Sequence, residues 1–256
     1  MDVPGGRLFA RRWISEADNI SPPPPILLLH DSLGCVETWR EFPRRLAQTL
    51  RTTVIAYDRL GFGKSTAREA LPSFQFIEEE GIVFLPLIMK HFNFGKYLLF
   101  GHSVGGAMAL EAAFRLPNIG AVVSESAQAF IEEKTILGIL RSKQAFKDLD
   151  RLAKLRKFHG NKADWVLRAW TDIWTAPEFS AWGLETCLRN VKCPVLAIHG
   201  QNDEYGSSAF PQAIFDKVSG IAEILLIENC GHVPHREDPA KVLSALENFF
   251  KNHVIY

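Results

Sequence analysis

The chain has little cysteine, no surplus of charge of either sign and no long apolar run, and each shortage removes a class of function. Four cysteines in 256 residues, Cys35, Cys187, Cys193 and Cys230, show no C-x-x-C spacing. Neither a zinc knuckle nor a redox dithiol is encoded, and a chain of this length can fold on its core without disulfides. Lys and Arg number 29 against 29 Asp and Glu, which leaves no global field to hold a nucleic acid. No glycine-rich phosphate loop occurs. No apolar run reaches the ~18 residues of a membrane span, and Met1 to Arg7 lacks the continuous apolar core of a signal peptide. A cytoplasmic protein without stable membrane insertion is expected. Apolar side chains are plentiful at 47% of residues, enough to fill one large core.

Seven short runs read as strands: near Leu8 to Ile14, Ile26 to Leu29, Thr53 to Tyr57, Tyr97 to Phe100, Ala121 to Ser124, Val195 to His199 and Ile224 to Ile227. Most are continuously apolar, as in a sheet covered on both faces. Between them Trp39, Phe42, Leu46 and Leu50 recur at helical spacing, and Val242, Leu243, Leu246, Phe249 and Phe250 do so behind an Asp238-Pro239 helix start. Alternating strands and helices predict an α/β fold with a mostly parallel, doubly wound sheet. Ser21-Pro22-Pro23-Pro24-Pro25 reads as a stiff loop feeding the strand at Ile26. The stretch 128–189 breaks the rhythm and is helical in pattern, with Val166, Ala169, Trp170 and Ile173 on one face. The expected organisation is a core of 1–127 and 190–256 with a helical cap of 128–189 between its parts.

The most informative motif is Gly101-His102-Ser103-Val104-Gly105, placed between a strand-like run and the small-residue helix pattern Gly106-Ala107-Met108-Ala109. This is G-x-S-x-G in the setting that lets a serine act: a sharp strand-to-helix turn exposes the hydroxyl, and glycines let the backbone pass close to its neighbours. A serine nucleophile needs a histidine base, and the histidine needs a carboxylate that fixes its tautomer. Downstream, the run Val195 to Gly200 leads to Asp203, and the run Ile224 to Ile227 leads through Asn229-Cys230-Gly231 to His232. Asp203 and His232 are the candidate acid and base, since sites on open α/β sheets gather beyond the strands' C-terminal ends. Glu204 and Glu125 compete for the acid's role and His235 for the base's. His102 reads as a packed structural imidazole, and His91, His159 and His253, without a motif around them, as surface residues. Cys230 lacks an elbow and reads as a packed thiol rather than a nucleophile. An oxyanion also needs two amide donors. One is expected from Val104, the other from Ser32 or Leu33 in the loop after Ile26 to His30, which His30 and Asp31 can brace.

These pieces resemble the α/β-hydrolase family over nearly the whole chain. His30-Asp31-Ser32-Leu33-Gly34 is similar to its H-G-x-x-G loop, with Asp31 where glycine is common. Asp58-Arg59-Leu60-Gly61-Phe62-Gly63-Lys64-Ser65 resembles D-x-x-G-x-G-x-S, and Gly231-His232 with Glu237-Asp238-Pro239 resembles G-H-x-x-x-x-E-x-P. The resemblance implies an α/β-hydrolase fold with a lid inserted after the sixth strand. It also implies two-step acyl transfer through Ser103, His232 and Asp203, without metal or organic cofactor. Aspartate-nucleophile relatives are argued against by Ser103. The lid carries Phe130, Phe146, Phe158, Trp165, Trp170, Trp174, Phe179 and Trp182, about half of them expected to glue it to the core. Phe130, Trp165, Trp170 and Trp174, together with Trp39, are the expected substrate-binding aromatics. Such a roof suits an apolar acyl chain, whose burial contributes about 25 cal/mol per Å². The expected substrate is a small-molecule ester or lactone, an acyl-homoserine lactone included. Carbon–carbon bond hydrolysis and a ligand-receptor role are the alternatives. The lid's first part is basic, from Lys134 to Lys157, and reads as a solvated face.

Overall fold

A computed structural model describes residues 1–15 and 23–253 of the chain. Ser21 and Pro22, part of the expected stiff loop, lie outside the described residues. The strands are β1 (Asp2–Val3), β2 (Gly6–Arg7), β3 (Ala10–Trp13), β4 (Ile26–Leu29), β5 (Val54–Tyr57), β6 (Tyr97–His102), β7 (Ile119–Glu125), β8 (Val195–Gly200) and β9 (Ala222–Ile227). The first two form a small hairpin. The other seven make one sheet in the order β3-β5-β4-β6-β7-β8-β9. Only β3 runs antiparallel, at the edge beside β5, and every other pairing is parallel.

Alternate residues of the central strands supply two cores. Leu27, Leu29, Ile55, Tyr57 and Leu99 bury on one face, and Ile26, Leu28, Val54, Ala56, Leu98 and Phe100 on the other. Double burial is why these strands read as unbroken apolar runs. β9 departs from that reading: as the far edge strand most of its residues are only partly buried, and Leu226 is exposed.

The helices are α1 (Phe42–Leu50), α2 (Phe76–Glu79), α3 (Leu85–Phe92), α4 (Val104–Arg115), α5 (Glu133–Ala145), α6 (Leu149–His159), α7 (Ala163–Trp174), α8 (Glu185–Leu188), α9 (Ala209–Lys217), α10 (Pro234–Glu237) and α11 (Pro239–His253). α11 starts at Pro239, and the Asp238 carboxylate accepts the Lys241 N–H at 3.1 Å, capping its first turn. Trp39 does not continue α1 as its spacing predicts. It closes a 3-10 turn, Val36–Trp39, and Arg40 then breaks the chain direction with φ 52°.

Between β7 and β8 the chain is helical from α5 to α8, apart from a single bridge of Phe130 to Gly183. Trp174, Phe179 and Trp182 pack against one another with ring centres 5.3–5.5 Å apart, which anchors this segment on the core. Among the described residues no helix is long and apolar enough to cross a membrane.

Candidate active site

β6 ends at His102 and α4 begins at Val104, so Ser103 alone makes the turn, with φ 55° and ψ −127°. Non-glycine residues rarely adopt this conformation, and it persists only where the surroundings enforce it. Here the Ser103 N–H donates to the Glu125 carbonyl and the Gly106 N–H to the Ser103 carbonyl, both at 2.8 Å. A Cβ at Gly101 would stand 2.0 Å from the Gly105 carbonyl oxygen, and one at Gly105 would stand 2.1 Å from that of Leu29. The helix can therefore sit on β4 and β6 only because both positions are glycine. Val104 heads α4, where amide N–H groups have no partner within the helix.

His232 follows β9 and Asp203 follows β8, the neighbouring strand. His232 Nδ1 lies 2.9 and 2.8 Å from the two Asp203 carboxylate oxygens. A carboxylate only accepts, so Nδ1 carries the proton and Nε2 presents its lone pair. Burial drives the His232 pKa down, but the charge and hydrogen bond of Asp203 outweigh it and leave the ring more basic than usual. Burial works to raise Asp203 likewise, and His232 more than reverses it, so the carboxylate stays ionised. Asp203 also accepts the Tyr205 N–H at 2.8 Å. His102 Nε2 donates to the His232 carbonyl at 2.7 Å and so holds that residue's backbone.

Ser103 and His232 line one cavity of about 190 Å³, together with Asp31, Ser32, Leu33, Gln128, Thr135, Ile139, Trp170, Trp174, Glu204, Tyr205 and Val233. At ~30 Å³ per water, this is room for about six water-sized groups. The loop after β4 forms one wall. A Cβ at Gly34 would fall 2.0 Å from Asp31 Oδ1, so the aspartate that replaces the family's usual glycine folds back over Gly34. His30 braces the loop: its Nδ1 donates to the Asp31 carbonyl at 2.8 Å and its Nε2 accepts the Arg59 N–H at 3.1 Å.

Beyond Ser32, Trp170 and Trp174 lies a tighter cavity of about 30 Å³, which Phe62, Phe76, Phe84 and Trp165 also line. Of the expected substrate aromatics, Trp170 and Trp174 stand between the two spaces. Trp165 borders only the tighter one, edge-on to Phe62 and with its indole N–H on the Ala70 carbonyl. Trp39 and Phe130 line neither space. Trp39 is buried in the core against Phe42, Phe100 and His235, because it lies beneath the loop after β4. Phe130 is spent on Phe210, ring centres 4.9 Å apart.

The competitors separate by geometry. Glu125 is fully buried and bonds His235 rather than His232, and burial raises its pKa to about 7. His235 is itself buried and pushed down to about 3. Glu204 reaches the cavity but not the His232 Nδ1 that Asp203 holds. His159, expected at the surface, is buried: its Nδ1 accepts the Gly63 N–H and its Nε2 donates to the Leu33 carbonyl, each at 2.9 Å. It ties the helical segment to the loop after β4. His91 is exposed, and His253 pairs with Glu223. The Cys230 thiol is buried and pushed up to about 12. The nearest approach to a metal site among the described residues is His102, Glu125 and His235, with ligand atoms within 4.8 Å. In this structure those groups hydrogen-bond each other and the His232 backbone.

The sequence model described as the alpha/beta hydrolase family matches residues 26–245. The chain belongs to the α/β-hydrolase family. This hydrolase is 22% identical to a proline iminopeptidase of Lactobacillus crispatus, over 90% of each chain. Among solved structures it superposes on a bacterial membrane phospholipase A with TM-score 0.78 at 19% identity, covering 98% of this chain and 84% of that one. The enol-lactonase of Burkholderia xenovorans matches with TM-score 0.74 at 17% identity, covering 97% and 98%. Likeness at these identities establishes the fold that this hydrolase shares with them. Gln128, Thr135, Ile139 and Tyr205 of its cavity carry no motif in the sequence. The one available signal was Tyr205, two residues past Asp203.

Proposed function

We propose that this hydrolase cleaves an ester or lactone of a small acyl substrate by nucleophilic catalysis at Ser103. The observation that carries the reading is a strained serine sharing a cavity with a histidine whose Nδ1 proton is held by a buried carboxylate. In the proposed reaction His232 Nε2 takes the Ser103 proton as Oγ attacks the substrate carbonyl carbon. The carbonyl oxygen becomes an oxyanion, received by the Val104 amide and by that of Ser32 or Leu33. Collapse expels the alcohol oxygen, which collects the proton from His232, and leaves an acyl-serine. Water then attacks, His232 takes its proton and returns it to Ser103, and the acid departs. Asp203 stays ionised throughout and stabilises the imidazolium.

Cavity size favours a short acyl or lactone moiety at Ser103, a short-chain acyl-homoserine lactone included. A second reading has a specific support: the Asp31 and Glu204 carboxylates line the cavity and suit a substrate amine, as in release of an N-terminal residue from a peptide. Steady-state turnover of p-nitrophenyl esters, acyl lactones and aminoacyl p-nitroanilides separates the two. Ester or lactone turnover abolished by Ser103→Ala is the expected result. Preference for the anilides establishes the peptidase reading. Activity confined to a dienoate ketone moves the assignment to carbon–carbon hydrolysis. Ligand-raised Tm without turnover moves it to a receptor.

A further inference from the structure

Gln128 stands three residues past the end of β7, where the chain leaves the sheet for the helical segment. It lines the same cavity as Ser103 and His232, and the residue is only 4% exposed. Its Oε1 is buried and has no hydrogen-bond partner among the described residues. Trp174 Nε1, on the wall of the same cavity, is likewise buried without a partner among the described residues, whereas Thr135 and Tyr205 are committed. Thr135 Oγ1 donates to the Tyr205 carbonyl, and the Tyr205 hydroxyl is bonded to Ser142 Oγ, both at 2.7 Å. Tyr205 also stacks its ring edge against His232, centres 4.8 Å apart. Buried amide oxygens are almost always satisfied, and one left open on the wall of a roomy polar cavity is served by whatever enters it.

We infer that Gln128 is a specificity-determining residue that accepts a hydrogen bond from an N–H or O–H group of the substrate. The substrate class is thereby narrowed to an ester or lactone that carries a secondary amide or a hydroxyl near its scissile carbonyl, in place of a plain fatty ester. This rests on the serine-hydrolase reading above. A plain alkyl group leaves the oxygen unpaired, whereas a donor supplies the missing bond, so discrimination arises from rejection of the plain substrate as much as from attraction of the other.

The test uses three short p-nitrophenyl esters: butanoate, 2-hydroxypropanoate and N-acetylglycinate. Each kcat/KM is divided by the ester's own hydroxide-catalysed rate. The wild type is expected to favour at least one donor-bearing ester over butanoate by about 10- to 100-fold. Which of the two it favours tells amide from hydroxyl. Gln128→Met keeps the side-chain length and removes the acceptor; it should bring the ratio to within about threefold of unity. Gln128→Glu keeps an acceptor and should retain the preference. A wild type without preference overturns the inference before any variant is made, and so does a preference that Gln128→Met and Gln128→Leu leave intact. Fluorophosphonate labelling of Ser103 is measured in parallel. Labelling without preference defeats the role of Gln128 alone, whereas an unlabelled, folded wild type defeats the serine reading itself.

Discussion

Replacing Asp203 by Asn tests the electrostatics of the site with almost no change of shape. Asp203 acts on His232 in two ways: its oxygens at 2.8 and 2.9 Å fix the proton on Nδ1, and its charge raises a pKa that burial lowers. The amide removes the charge. It can also turn its NH2 toward the ring and hold the tautomer whose Nε2 is protonated and useless as a base. Loss of the carboxylate in this arrangement costs about 10⁴-fold in rate, equivalent to about 5 kcal/mol of barrier at 1.36 kcal/mol per decade. The pH profile moves as well. In the wild type the base must be neutral, so activity should rise through a pKa above the ordinary 6.5 and level off on the alkaline side. In Asp203→Asn the charge and hydrogen bond that do most to raise the ring are gone while burial still lowers it, so the residual activity should rise through a limb at lower pH than the wild type's. The assay is kcat/KM for p-nitrophenyl butanoate from pH 5 to 9, with Glu204→Gln, whose charge also raises His232, as a comparison expected to lower the limb less than Asp203→Asn does. An Asp203→Asn enzyme within tenfold of wild type and with an unmoved limb would refute the reasoning, since His232 would then be oriented by another group.

Trp170→Ala should join the 190 and 30 Å³ spaces. At ~0.8 kcal/mol per buried CH2, two more accommodated methylenes should raise kcat/KM for octanoate relative to butanoate by about tenfold; an unchanged chain-length profile would show that the acyl chain lies elsewhere. In Gly105→Ala the new Cβ meets the Leu29 carbonyl oxygen at 2.1 Å, a backbone atom that cannot turn aside. The expected cost is about 3 kcal/mol, a Tm lower by ~6–12 °C, and a Tm within 2 °C of wild type contradicts the close packing of the elbow. Burial lowers the His102 pKa from 6.5 to about 4, so between those values the unfolded chain binds a proton that the native ring refuses. That stability is present above pH 6.5 and lost as pH falls through the window, about 2 kcal/mol by pH 5. Urea titrations at pH 7 and 5 should show His102→Gln to be less acid-sensitive than wild type by that amount; equal sensitivity would mean His102 titrates normally.

The elbow was legible in the sequence because its constraint is local. Gly101 and Gly105 are three-dimensional requirements of one turn, and both fall within five residues of each other. The meeting of Asp203 and His232 was legible because parallel strands deliver their following loops to a common edge, so chain order implies proximity. The lining of the cavity was not. Gln128, Thr135 and Tyr205 come from separate elements, and which of their faces meets the cavity depends on how the helical segment docks. The same dependence misled the reading of aromatics: periodicity placed Trp39 on a helix that starts after it, and composition could not tell Trp165 from Trp170. His159 escaped because its partners, the Leu33 carbonyl and the Gly63 amide, belong to loops about a hundred residues away and are backbone atoms, invisible to side-chain pattern.

The central claim is that Ser103 is an activated nucleophile, and the most direct measurement is the intact mass and adduct position after treatment with a fluorophosphonate. One adduct per chain is expected, located on Ser103, formed faster as pH rises through the His232 limb and absent from Ser103→Ala. A folded protein that stays unmodified, or an adduct on another residue that survives Ser103→Ala, would contradict it.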